Sequence, residues 1–233
     1  MPKLPSLTVF FPCHNEKANL DRVLDQALRV VPQVAEEYEI IIIDDGSDDG
    51  TEQFISKRAR QDPPIRLIRH PVNRGYGEAL KSGFRSARMQ WVFYTDGDGQ
   101  FDLAELPLLV EQSSSADIVS GYRLNRADPL YRKWNAFIFG MACRLFLGLN
   151  VPDIDCAFKL YRRDIFDRLT LTTTGAMIDA EILAKASRAG RRIITIPVSH
   201  HPRIAGTQSG AKLKVILKAM REFWVLWATL RSC

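Results

Sequence analysis

Two periods alternate along the first half of the chain. Short β-branched or aromatic runs at Leu7–Phe11, Glu39–Ile43, Ile65–Ile68, Trp91–Thr95 and Asp117–Ser120 have the length and composition of buried strands. Between the first two, apolar residues at 20, 23, 24, 27, 28 and 31 make one stripe of a helix over Glu16–Val31. Further helices are predicted near Gly50–Arg60, Gly75–Ala87 and Leu103–Gln112. Strand and helix alternating in this way predict an α/β fold, with a mostly parallel sheet covered on both faces. Pro12 is read as the stop of the first strand. No internal repeat, low-complexity tract or linker interrupts the pattern.

After Gly121 the pattern loosens. Leu130–Leu149 reads as a very apolar helix, residues 175–189 as another, and Ile193–Val198 as a strand. A strand-like apolar and basic stretch follows Asp155. From Lys212 to Leu230 the chain is an amphipathic helix, with Phe223, Trp224, Trp227 and Leu230 near one stripe and Lys214, Lys218 and Arg221 on another face. The run Phe223–Leu230 falls far short of the ~18 apolar residues needed to cross a bilayer. Met1–Pro5 has no signal-peptide core, which predicts a chain that stays in the cytoplasm.

Composition changes this picture in one respect. With 233 residues and a net charge of +5 the chain is ordinary, but the charge is divided unevenly. Residues 1–121 carry 13 Lys and Arg against 19 Asp and Glu, and residues 122–233 carry 19 against 8. An acidic front half suits a cation, and a basic back half suits an anion or an acidic membrane. No zinc finger, RNP-like strand or helix-turn-helix supports a nucleic-acid partner. The four cysteines lack CxxC spacing and read as reduced, buried thiols.

In open α/β sheets ligands gather beyond the carboxyl ends of the strands. Pro12–Glu16, Asp44-Asp45 and Asp96-Gly97-Asp98-Gly99-Gln100 all fall at such ends. Two carboxylates two residues apart on extended backbone point the same way, and the glycines allow close approach. Hard oxygens of this kind suit Mg²⁺ or Mn²⁺ on a diphosphate. A P-loop is excluded, because no GxxxxGK[ST] occurs.

Phe11–Glu16, Ile43–Thr51, Asn73–Gly77, Asp96–Gln100 and Ser120–Arg123 together resemble the family 2 glycosyltransferases of the GT-A fold. Within that family the resemblance is to polyprenyl- and dolichyl-phosphate mannosyl- or glucosyltransferases. Asp153–Arg163 and Pro197–Gly206 extend it over residues 7–210. It implies a catalytic domain over 1–210, with a nucleotide-sugar half (1–121) and an acceptor half (122–210); the amphipathic helix over 211–233, with tryptophans near lysines, reads as a membrane-interface helix. It also implies that Pro12, His14, Glu16, Ile43 and Asp45 line the base and ribose pocket, with Gly97 beside the donor. Asp96, Asp98 and Gln100 would hold the metal, and Arg123 and Arg203 would meet phosphate oxygens. His14 stands where the mannose synthases have tyrosine, and Ser209 where they have lysine, with Lys212 as a substitute.

The expected activity is inverting transfer of a hexose, mannose or glucose, from a GDP- or UDP-sugar to a polyprenyl phosphate, with Asp98 and Arg123 in the reaction centre. The expected place is the inner face of the membrane, with a membrane protein or a second copy as partner. Arg123, Arg126, Arg132 and Lys133, before an apolar helix, suit a lipid phosphate and its tail. Two alternatives stand beside this. One is a saccharide hydroxyl acceptor, with Asp153 or Asp155 as base; the other is a nucleotide-sugar-binding scaffold without turnover. Glu181, which follows Asp179 on a helix, reads as a carboxylate on the helix surface, with approach to the same cleft as the alternative.

Overall fold

The structure, a computed structural model, describes residues 3–124, 130–203 and 213–231. Its strands are β1 (Leu4–Cys13), β2 (Ala35–Asp44), β3 (Ile65–Arg69), β4 (Trp91–Thr95), β5 (Ile118–Arg123), β6 (Phe158–Arg162) and β7 (Ile193–Val198). They form one sheet in the order β3-β2-β1-β4-β6-β5-β7. β6 is antiparallel to both of its neighbours, and every other pairing is parallel. The helices are α1 (Lys17–Val34), α2 (Thr51–Gln61), α3 (Tyr76–Ser86), α4 (Leu106–Glu111), α5 (Leu130–Ala142), α6 (Ile178–Arg188) and α7 (Leu213–Arg231). The mostly parallel α/β architecture is the one the periodicity predicts.

Several boundaries differ for identifiable reasons. β1 does not stop at Pro12 but runs to Cys13, with Pro12 opposite Ile43 of β2. The carbonyl of Pro12 accepts from Gly97 on the β4 side, beyond the last β1–β4 pair, Phe10 with Tyr94. The missing N–H faces that same side, where no ladder bond is lost. β2 begins at Ala35 because Leu4 to Cys13 supply a partner for its polar start, Glu36 and Glu37. The helix expected over 103–112 is a 3₁₀ turn, Leu103–Glu105, capped by the Asp102 carboxylate and followed by the short α4. α5 gives way to a π turn at Cys143–Leu147, and α6 starts at Ile178 rather than 175.

The reversal of β6 places the site. Residues that follow β1, β2, β4, β5 and β7 arrive at one edge of the sheet. Because β6 runs the other way, the residues that precede it, 153–157, arrive at that edge too. Behind the edge, alternate side chains bury both faces. Phe10, Tyr94 and Tyr161 share one face and pack on Phe84 of α3, with Phe10 and Phe84 edge to face at 5.0 Å. Phe93 and Phe158 meet at 4.7 Å elsewhere in the core.

α3 can sit this close because position 83 has no side chain. A Cβ there would lie 2.3 Å from the Phe10 ring. Alanine favours helix over glycine by ~1 kcal/mol, whereas overpacking a core costs about 1–3 kcal/mol. Gly83→Ala is therefore expected to destabilise the protein despite the better helix former. Urea unfolding of the two proteins checks this, and a more stable Gly83→Ala would refute the packing.

Candidate active site

The end of β2 supplies two buried carboxylates with different tasks. Asp44 Oδ1 accepts from the Ser47 N–H at 3.0 Å and caps the following turn. Asp45 reaches the opposite loop. Its Oδ1 accepts from His70 Nδ1 at 2.6 Å and from the Arg74 N–H at 2.9 Å, and its Oδ2 from the Gly75 N–H at 2.8 Å. The other ring nitrogen, Nε2, is 2.8 Å from the Ser82 hydroxyl. Asp45 thus ties the 73–75 turn to the sheet. Exposed His14 donates from Nδ1 to the Asp45 carbonyl at 3.0 Å, while Pro12 and Ile43 are buried beside it in the strands.

The turn after β4 holds the paired carboxylates. Asp98 Oδ1 accepts from the Gln100 N–H at 3.0 Å, and Oδ2 from Arg203 Nη2 at 2.8 Å. Arg203 Nη1 is 3.0 Å from Glu16 Oε1, so one guanidinium spans two carboxylates from distant parts of the chain. Burial, more than any neighbour, raises the Glu16 carboxyl above its usual range. Asp96 Oδ1 accepts from the Tyr76 hydroxyl at 3.1 Å. Burial first, and the Asp98 charge second, hold the Asp96 carboxyl well above the usual carboxylate range. Gln100 donates from Nε2 to the His201 carbonyl at 2.9 Å, which fixes the returning chain after β7.

These residues fit a divalent cation. Two hard-oxygen carboxylates crowd each other where water is partly excluded, and burial together with the Asp98 charge raises the Asp96 carboxyl. Among the described residues no three His, Cys, Asp or Glu side chains are placed to hold a metal. The other ligands would come from a bound diphosphate and water.

Across the edge, Arg123 at the end of β5 grips Asp153 with both prongs. Nε is 2.6 Å from Oδ2, and Nη2 is 2.7 Å from Oδ1. Asp155 stands nearby with its side chain open to solvent. Surrounding protein, then the charges of Asp179 and Asp153, push its carboxyl up to about 7, a push that solvent contact tempers. Beneath lies a fully buried ion pair, Lys159 Nζ to Asp179 Oδ1 at 2.8 Å. The Tyr94 hydroxyl also donates to Asp179, and Lys159 donates to the Cys156 carbonyl.

The glycosyl transferase family 2 model matches residues 8–170. The chain belongs to that family. It is 31% identical over 216 residues, 91% of its length, to the undecaprenyl-phosphate 4-deoxy-4-formamido-L-arabinose transferase of Pectobacterium carotovorum subsp. carotovorum strain PC1. The protein of the same name from Pseudomonas fluorescens SBW25 is 33% identical over 166 residues, 70% of this chain and 48% of that protein. The chain spans 65% of the length of the Pectobacterium protein. Its fold is similar to glucosyl-3-phosphoglycerate synthase from Mycobacterium tuberculosis, with a TM-score of 0.73 at 20% identity, covering 97% of this chain and 80% of that one. That structure is a complex with Mn²⁺, uridine diphosphate and glucosyl-3-phosphoglycerate.

In this family 2 chain, Glu16, Asp45, Asp96, Asp98, Gln100, Arg123, Asp153, Asp155 and Arg203 all come to one sheet edge. Gly97 lies against β1, its N–H on the Pro12 carbonyl. Arg126, Ser209 and Lys212 fall outside the described residues, as do the side chains of Arg132, Lys133 and Lys214. Glu181 is not on a helix surface. It is fully buried, and Thr172, Thr173 and Lys185 donate to it, so it braces the 172–173 loop. His70, Tyr76, Tyr94, Lys159 and Asp179 are not among the expected site residues. Tyr76 and Lys159 do lie within motifs that carry the resemblance, Asn73–Gly77 and Asp153–Arg163.

Because three donors converge on Asp45, Asp45→Ala leaves them unpaired, at about 1–3 kcal/mol for each one kept from water. A loss of at least ~2 kcal/mol in denaturant unfolding is expected. A variant as stable as the parent would show that Asp45 does not hold the 73–75 turn.

Proposed function

We propose that the chain transfers a sugar from a nucleotide diphosphate to a polyprenyl phosphate at a membrane surface. The observation that carries the reading is the meeting at one edge of a crowded carboxylate pair, Asp96 and Asp98, with two guanidiniums held in place by carboxylates. Arg203 sits on Asp98 and Glu16, and Arg123 on Asp153. An incoming diphosphate or phosphate competes for both arginines in bidentate fashion. Pro12, His14, Glu16, Ile43, Asp45 and Gly97 surround the base and ribose in this reading. Asp96, Asp98 and Gln100 hold Mg²⁺ or Mn²⁺, which when bound draws charge from the departing diphosphate.

The acceptor side rests on chemistry and on kinship. A phosphate acceptor is anionic at neutral pH, so attack on the anomeric carbon needs no protein base. Asp153, paired to Arg123, is then free to orient a guanidinium rather than take a proton. An apolar face lies close by: Trp134, Phe137 and Leu145 are exposed, as are Met220 and Trp224 of α7, and Phe146 joins the two groups at 5.5 Å from Trp224. Such a face, flanked by Lys218 and Arg221, suits isoprene chains and an anionic bilayer. No helix among the described residues is long and apolar enough to cross a membrane. The relatives' names support an undecaprenyl phosphate acceptor.

The sugar and base are a choice within this reading. The sequence resemblance points to mannose or glucose, whereas the relatives are named for a formamido-arabinose, and the fold neighbour holds uridine diphosphate. A second acceptor reading, a saccharide hydroxyl, draws on the raised Asp155 carboxyl, since a base near pH 7 is well matched to proton removal.

One assay series tests all of this. Transfer to undecaprenyl phosphate is followed by mass spectrometry with UDP- and GDP-linked mannose and glucose and with the UDP-linked formamido-arabinose. One donor is expected to react, excess EDTA to abolish the product, and Asp98→Ala to lose about 10²-fold or more while keeping its circular dichroism. Asp155→Asn is expected to cost less than tenfold, where loss of a required base costs about 10²–10⁴-fold. Full activity in EDTA would remove the metal from the reading, and preference for a soluble saccharide would replace the lipid acceptor.

A further inference from the structure

α7 has an exposed apolar side, but its other side is built into the domain. Phe223, Leu226 and Leu230 are buried, and Arg188 of α6 donates to the Leu230 carbonyl. Those contacts seat the helix without help from any carboxylate. Glu222 nevertheless turns inward. Its Oε1 accepts from the Thr174 N–H at 2.9 Å and from the Thr174 hydroxyl at 3.3 Å. Its Oε2 is buried without a hydrogen-bond partner, at the place where a Cβ on Gly175 would come within 2.9 Å. Lys218 Nζ approaches Oε1 no closer than 3.9 Å.

The other side of Thr174 bears on the start of α3. A Cβ at Gly77 would lie 2.6 Å from the Thr174 carbonyl carbon, and one at Gly75 3.2 Å from its oxygen. Backbone therefore meets backbone, with no side chain to absorb a shift. Gly75, at φ +96°, gives its N–H to Asp45, and Tyr76 gives its hydroxyl to Asp96. Direct contacts run from Glu222 through Thr174 and the 75–77 turn to Asp45 and Asp96.

We propose that Glu222 is a positioning residue for the donor site. It fixes Thr174, the Thr174 backbone fixes the 75–77 turn, and the turn sets Tyr76 on Asp96 and presents the Gly75 amide to Asp45. The helix with the apolar outer face is thereby part of the donor site. The proposal rests on the reading above only for the identity of the ligand.

Three variants test it by hydrogen–deuterium exchange. Glu222→Ala removes the acceptor, and Glu222→Gln keeps one. Gly175→Ala pushes the carboxylate aside while leaving the α7 sequence untouched. Exchange at amides 74–79 is expected to rise about tenfold in Glu222→Ala and Gly175→Ala, equivalent to ~1.4 kcal/mol. Glu222→Gln should stay near the parent, and Ile42 and Leu67 in the sheet should be unchanged in all three. Where the parent binds UDP or GDP in calorimetry with Mn²⁺, Glu222→Ala should weaken that binding about tenfold. Faster exchange confined to 172–175 and α7, or unchanged nucleotide affinity in Glu222→Ala, would overturn the proposal. A parent that binds neither nucleotide would count against the donor reading, and exchange at 74–79 would still decide the coupling.

Discussion

Like charges about 4 Å apart repel by about 4 kcal/mol at an effective dielectric of ~20, and this sheet edge gathers Glu16, Asp45, Asp96, Asp98, Asp153 and Asp179. Much of the remaining site is the neutralisation of that charge. Arg203 bridges Glu16 and Asp98, Arg123 clamps Asp153, Lys159 is buried against Asp179, and His70 with two loop amides covers Asp45. Asp96 is treated differently. Its hydrogen-bond donor is the neutral Tyr76 hydroxyl, and burial together with Asp98 favours its protonated form. The arrangement has a deficit of positive charge at the carboxylate pair, which a metal on a diphosphate would fill.

One reversed strand makes the crowding possible. In a wholly parallel sheet the segment before β6 would lie at the far edge, away from Asp98 and Arg203. Antiparallel β6 instead brings Asp153 and Asp155 to Arg123, and sets Lys159 opposite Tyr94 in the ladder. The resulting Lys159–Asp179 pair is fully out of water, where removing one partner is far more costly than removing both.

The strand ends and their carboxylates were legible in the sequence because a short apolar run that stops at Asp or Gly is a local signal. Pro12 misled for a local reason as well, since its harmlessness depends on the β4 ladder ending at Phe10. The burial of Lys159 was not legible, because a lysine within Phe158–Arg162 resembles the polar phase of a half-buried strand, and its partner lies in another element. His70 and Glu222 were hidden in the same way, by partners 25 and 48 residues away in sequence. For α7 the amphipathic period was legible but its direction was not. Trp224 faces out and Phe223 faces in, one residue apart, because the buried side is the one that Phe223 shares with Leu226 and Leu230.

The central claim is that the Asp96–Asp98 pair takes a divalent cation together with a nucleotide diphosphate. Electron paramagnetic resonance of free Mn²⁺ tests it most directly. Titrated into the protein alone, the Mn²⁺ signal should fall only slightly, because the described residues offer too few ligands. With UDP or GDP present, it should fall well beyond what nucleotide alone produces, and Asp98→Ala should abolish that excess. Mn²⁺ uptake by the protein that neither nucleotide increases, or that survives Asp98→Ala, would contradict the account.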